Sequence, residues 1–147
     1  MKFRDALWKT VMWRFMKMRL GFDKQELALF RGNPRNREVL LKAPAMMGRQ
    51  IVARVVASKG CNSRHKMGDE IVFDGFGNLV AERSPKRICL YALSAMTPLV
   101  FAASELYYAD ADPNRMRFNR AACFDGGLEC GGVGRVVFEV TMEAVKP

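Results

Sequence analysis

Between Leu90 and Ala103 the chain carries no charged residue, and its apolar side chains fall on nearly every side of a helical wheel. A helix of that kind must be buried, so the rest of the chain has to fold around it. The run falls short of the roughly eighteen apolar residues that a bilayer crossing requires, so the expected cover is protein and not lipid. Ser84-Pro85 reads as its start, with Ser84 as the cap, and the helix is expected to continue through Ile88, Leu93, Met96 and Val100 to about Tyr107. Pro98 predicts a kink within it.

On both sides of this helix the pattern changes to β-branched residues at period two. Residues 51–56 read as a strand, 60–68 as a loop, and 70–73 as a second strand entered through the Gly68-Asp69 turn. Asp74-Gly-Phe-Gly-Asn78 is a further turn. An extended stretch near 116–124, a glycine-rich turn and a last strand at 135–141 follow the helix. Upstream, three helices are predicted. Residues 1–20 carry an apolar stripe of Phe3, Leu7, Val11, Phe15 and Met18 beside Trp8, Met12 and Met16. A second, short helix opens with Asp23 and Glu26 and ends at Arg31-Gly32. A third opens with Asn33 as N-cap and Pro34 in its first turn, and closes at Ala43-Pro44.

The predicted class is therefore α+β. A basic helical segment, 1–50, precedes an α+β domain, 51–147, in which a small, mainly antiparallel and even barrel-like sheet wraps the buried helix. A doubly wound parallel sheet would need repeated strand–helix alternation, which the pattern lacks.

Charge is distributed as unevenly as hydrophobicity. Residues 1–50 hold 12 Lys or Arg against 4 Asp or Glu, a net +8, whereas the remainder is nearly balanced at +1. A solvated basic face is the simplest reading, and an anionic small molecule or an acidic protein partner is the functional one. The cations are dispersed, with no zinc-finger spacing or aromatic RNA-binding signature, which argues against nucleic acid. The wide apolar face of the first helix is expected to be covered by the chain's own sheet or by a second copy, giving a homo-oligomer, in preference to a membrane surface. With no continuous apolar block of a secretory signal, the expected compartment is the cytoplasm, where thiols stay reduced.

Chemistry concentrates in Cys61-Asn-Ser-Arg64-His65-Lys66-Met-Gly68-Asp69, which holds a thiol and the chain's single histidine. Four residues apart, Cys61 and His65 can share one ion if the backbone turns, and a tetrahedral site then needs ligands from Cys89, Cys123 or Cys130. Zinc or mononuclear iron would suit such a set. The Cys123 to Cys130 spacing matches no iron–sulfur pattern. Cys89 falls at the predicted start of the apolar helix beside Lys86 and Arg87, a setting that favours a thiolate or a bound anion, although a buried cysteine is more often a small hydrophobe. A metal-free alternative makes Cys89 a nucleophile, His65 its base, and Arg64, Lys66 and Arg87 the holders of an anionic substrate. If water completes a metal site, Lys66 or Asp125 would assist acid–base chemistry.

Residues 51–141 resemble a family of small uncharacterised prokaryotic proteins. The family is marked by a valine-rich strand, a Cys-x-x-Gly-His-Lys-x-Gly-Asp motif, an Ile-Cys helix start with a later proline, a Cys-Pro-Asp, and a final Val-Phe-Glu strand. Here these correspond to Cys61 through Asp69, Ile88-Cys89 with Pro98, Cys123-Phe-Asp125, and Val137-Phe-Glu139. Arg64 stands where the family has glycine and Phe124 where it has proline. The resemblance implies that Cys61, His65, Cys89 and Cys123 work together. Three functions follow as expectations: a Cys/His metal-binding protein, a cysteine-dependent enzyme, and a non-enzymatic accessory subunit that binds a partner.

Overall fold

The structure is a computed structural model that describes Thr10, Val11, Arg14, Phe15 and residues 17–145. It divides into two compact units, Met1–Pro44 and Ala45–Pro147. Much of the predicted first helix, Phe3, Leu7, Trp8, Met12 and Met16 included, lies outside the described residues; those described between Thr10 and Leu20 are helical. Helix α1, Lys24–Gly32, begins with the predicted capping box. The Asp23 carboxylate accepts from the Gln25 and Glu26 N–H groups, and the Glu26 carboxylate accepts from the Asp23 N–H at 2.8 Å. Helix α2, Pro34–Met46, starts as expected with Asn33 Oδ1 accepting from the Arg35 N–H. It passes through Pro44 to Met46, two residues beyond the predicted end.

In the second unit, β1 (Arg49–Lys59), β2 (Glu70–Asp74), β3 (Arg120–Ala122) and β4 (Arg135–Ala144) form one antiparallel sheet in the order β2-β1-β4-β3. The sheet is open and not a barrel, contrary to the barrel-like option. Its β2 edge is covered locally, because the Val80 N–H donates to the Val72 carbonyl and the Val72 N–H donates to Ser84 Oγ. That bond explains a second correction. Ser84 donates its own hydroxyl to the Val80 carbonyl at 2.9 Å, so it serves the edge of β2 instead of capping a helix. Helix α3, Leu90–Tyr108, begins six residues later with Cys89 as N-cap.

Alternation sorts the strands into two faces. Ile51, Ala53 and Val55 on β1 stand opposite Met142, Val140 and Phe138 on β4, and this face packs with Met46, Met96 and Ala103 as the core. The other face carries a row of alternating charge in which Glu70, Arg54, Glu139 and Arg120 are successive register partners across all four strands. Arg54 Nη2 lies 2.7 Å from Glu70, and Arg120 Nη2 lies 2.9 Å from Glu139. A one-residue slip of any strand would drive these charges into the core, so the row and the apolar face enforce the same register.

The expectation of a helix buried on all sides is not met. Only Ala92, Met96, Leu99 and Ala103 of α3 are buried, while Leu90, Tyr91 and Phe101 face outward, with Phe101 66% exposed. An open four-stranded sheet lies against one side of a helix, and among the described residues the other side is left without cover. Among the described residues no helix is long and apolar enough to cross a membrane.

Replacing Arg54 by Met is expected to lower stability by about 0.5–1 kcal/mol, because it removes the cation flanked by Glu70, Glu139 and Glu143 from a partly solvated row. Urea midpoints should show the loss shrinking at high salt. A loss independent of salt would instead assign it to packing of the arginine stem.

Candidate functional site

Residues 60–69 connect β1 to β2, and five interactions shape them, three of which tie the segment back to β1. The Gly68 N–H donates to the Val55 carbonyl, the Val55 N–H donates to the Asp69 carbonyl, and the Asp69 carboxylate accepts from the Lys66 N–H. Ser58 Oγ donates to the His65 carbonyl at 2.6 Å, and the Arg64 N–H closes a turn on the Cys61 carbonyl with Arg64 at φ +60°. These bonds press the His65 side chain into the core, where it is 3% exposed and meets Phe138 edge-on at 6.1 Å. Among the described residues neither ring nitrogen has a hydrogen-bond partner, and Nδ1 stands 4.0 Å from the Asp69 carboxylate. Burial lowers the His65 pKa from its ordinary value, opposed by the Asp69 charge, so the ring is neutral at pH 7.

The glycine-rich stretch between β3 and β4 is held by one carboxylate. Asp125 Oδ1 accepts from the N–H groups of Gly127, Val133 and Gly134 at 3.3, 2.8 and 3.2 Å. A Cβ at Gly132 would overlap that oxygen, which accounts for the glycine there. Asp125, expected to assist acid–base chemistry, thus clamps a loop. Cys123 is buried, and its Sγ accepts from the Val136 N–H at 3.3 Å. Cys130 is exposed, with its side chain against Gly126.

Two contacts join the ends of these loops and the start of α3. Gly60 at the end of β1 and Gly134 before β4 meet backbone to backbone, so closely that a Cβ at Gly134 would overlap the Gly60 carbonyl and crowd the Cys61 N–H. The start of α3 joins them through the Tyr91 and Phe124 rings, whose centroids are 6.2 Å apart. Cys61 and Cys89 are half-buried against the core, and Cys123 is part of it.

These contacts do not assemble a set of ligands. Among the described residues no group of three or more His, Cys, Asp or Glu side chains is placed to hold a metal ion. His65 packs on Phe138, Cys123 is engaged by Val136, and Cys130 faces solvent. The arrangement therefore does not fit the expected zinc or iron site. His65, sealed and without a partner, is equally poorly placed as a base for Cys89. Arg64, Lys66, Lys86 and Arg87 are all exposed.

A feature the sequence reading passed over lies beside the uncovered side of α3. Phe73, Phe76, Leu93, Thr97, Val100 and Phe101 line a groove of about 310 Å³. Its wall is the 74–78 turn, in which Asp74 Oδ1 accepts from the Phe76 and Asn78 N–H groups and holds Phe76 out at the tip. The signal was available in Phe76 itself, an aromatic residue between two turn glycines.

Two predictions test this geometry. Gly134→Ala is expected to cost about 1–3 kcal/mol in urea unfolding, because the two loops must part to admit a methyl group. For His65 the linkage sign is definite. Its pKa is lower in the folded chain, so the unfolded chain takes up the proton first, and stability, complete above about pH 6.5, declines as pH falls below it. With one histidine in the chain, the urea midpoint should drop between pH 7.5 and 5.5 in the wild type more than in His65→Leu.

Comparison with protein-family models, with curated proteins and with solved structures finds no match, so the functional reading rests on the geometry of this chain.

Proposed function

We propose that the protein is a non-enzymatic accessory module that binds a protein partner through the outer side of α3, and that the partner it first accepts is a second copy of itself. The observation that carries this reading is the apolar groove beside a helix with one side uncovered. Large exposed apolar surfaces on a water-soluble unit mark places of association. Phe101 protrudes at the rim of the groove it also lines, so a two-fold arrangement would set each Phe101 into the groove of the other copy.

Charge favours a second copy over a random apolar partner. The chain carries +9, yet no Lys or Arg lines the groove, so two copies can meet there without opposing cations. Burying Phe101 and Phe76 from each copy contributes about 1.5–3 kcal/mol per side chain, and association consumes much of the total, so a micromolar dimer is expected.

Sedimentation equilibrium of the full chain should show a dimer at tens of micromolar, and Phe101→Glu should shift it to monomer with an unchanged far-ultraviolet circular dichroism spectrum. A wild-type monomer, or a Phe101→Glu variant that stays dimeric, would refute this interface. Elemental analysis provides a separate check: zinc or iron at one per chain, lost in Cys123→Ser, would return the metal-binding reading to first place.

A further inference from the structure

At the end of the sheet where the loops converge, apolar and cationic side chains are exposed together. Phe124, Leu128 and Val133 stand out from the glycine-rich loop at 82, 78 and 73% exposure, and the ring contact between Phe124 and Tyr91 extends the patch onto Tyr91 and its neighbour Leu90 at the start of α3. The loop is not a loose tether. Its three bonds to Asp125, together with the Cys130 and Gly132 N–H groups both donating to the Gly127 carbonyl, hold these side chains outward.

Cations surround the patch. Lys59 and Arg135 are direct register partners on β1 and β4, an arrangement of like charges that disfavours the pairing and contributes nothing to the fold. Arg135 also packs beside Gly127. Lys86 and Arg87 lie four and three residues before Leu90, and Arg64 lies four residues from Gly60, whose backbone backs onto Val133 and Gly134. Among the described residues none of these five cations makes an ion pair. Of the nearby acids, Asp125 is engaged by the loop backbone, and Glu129 is exposed on the loop itself.

We infer that this end of the domain docks on an anionic lipid surface, with Phe124, Leu128 and Val133 entering the interface and Lys59 and Arg135 facing the headgroups. Protruding apolar side chains on a fixed loop suit a medium that deforms around them, and unpaired cations at their base suit a surface of fixed negative potential. The patch shares no lining residue with the groove of the proposed dimer, and the inference does not depend on that reading.

Co-sedimentation of the full chain with vesicles of phosphatidylcholine alone, or with phosphatidylserine at about one lipid in three, tests it. The expected result is binding to the anionic vesicles that exceeds binding to neutral ones and weakens with salt. Combined F124S, L128S and V133S should lower the partition constant at least tenfold, and combined K59Q and R135Q should do the same, at about fivefold per cation. Glu129→Lys should raise it about fivefold, a gain that misfolding does not produce. Cations elsewhere, as in residues 1–20, can add affinity but cannot transmit these changes. Equal binding to neutral and anionic vesicles, no binding, or wild-type binding by the loop variants and Glu129→Lys would each overturn the inference. Retention on immobilised polyglutamate without vesicle binding would do so too, in favour of an acidic protein.

Discussion

The antiparallel pairing of β1 with β4 is the constraint on which the rest of the domain depends. It joins Arg49–Lys59 to Arg135–Ala144, so every intervening element is closed into one long loop whose entropic cost must be met by contacts along this ladder. On one face the ladder stacks Ile51, Ala53 and Val55 against Met142, Val140 and Phe138, and on the other it sets Arg54 beside Glu139. At its end it brings Lys59 against Arg135 and Gly60 against Gly134. The core, the ionic row and the loop junction are thus successive rungs of one interaction.

What hangs from that ladder distributes polar and apolar groups in an unusual way. The titratable group with the most chemical promise, His65, is sealed beneath its own loop, while large apolar groups of α3 and of the glycine-rich loop face water. A catalytic centre needs a reachable proton carrier, and a docking surface needs reachable hydrophobic area. This distribution is what the proposal of a binding module rests on. It also places two separate surfaces on one small unit, an uncharged groove and a cation-rimmed apolar tip, with different chemical preferences.

Much of the architecture was legible before any coordinates. The Asp23 and Glu26 capping box, the Asn33 cap, the strand entered through Gly68-Asp69 and the Asp74 to Asn78 turn are local devices, and each depends on residues within a few positions of one another. The start of α3 was not legible, because the Ser84 hydroxyl that suits a helix cap equally suits the edge of β2, and only the nearness of Val72 and Val80 decides between them. Nor was the fate of the ligands. Spacing places Cys61 and His65 in one loop, but the Ser58 bond to the His65 carbonyl determines where the ring goes.

By itself the amino-acid sequence determined the period-two strands, the helix caps, the charge-free stretch of α3 and the concentration of basic residues in the first fifty positions. These follow from side-chain type and local spacing, which act over one or two turns of chain. Tertiary structure alone decided that the sheet stays open, that α3 keeps one apolar side exposed, that His65 is enclosed without a partner and that Lys59 faces Arg135. The reason is geometric. Whether a side chain is covered depends on how many strands stand beside it, and that number is set by pairings between residues far apart in the chain, which no local pattern encodes.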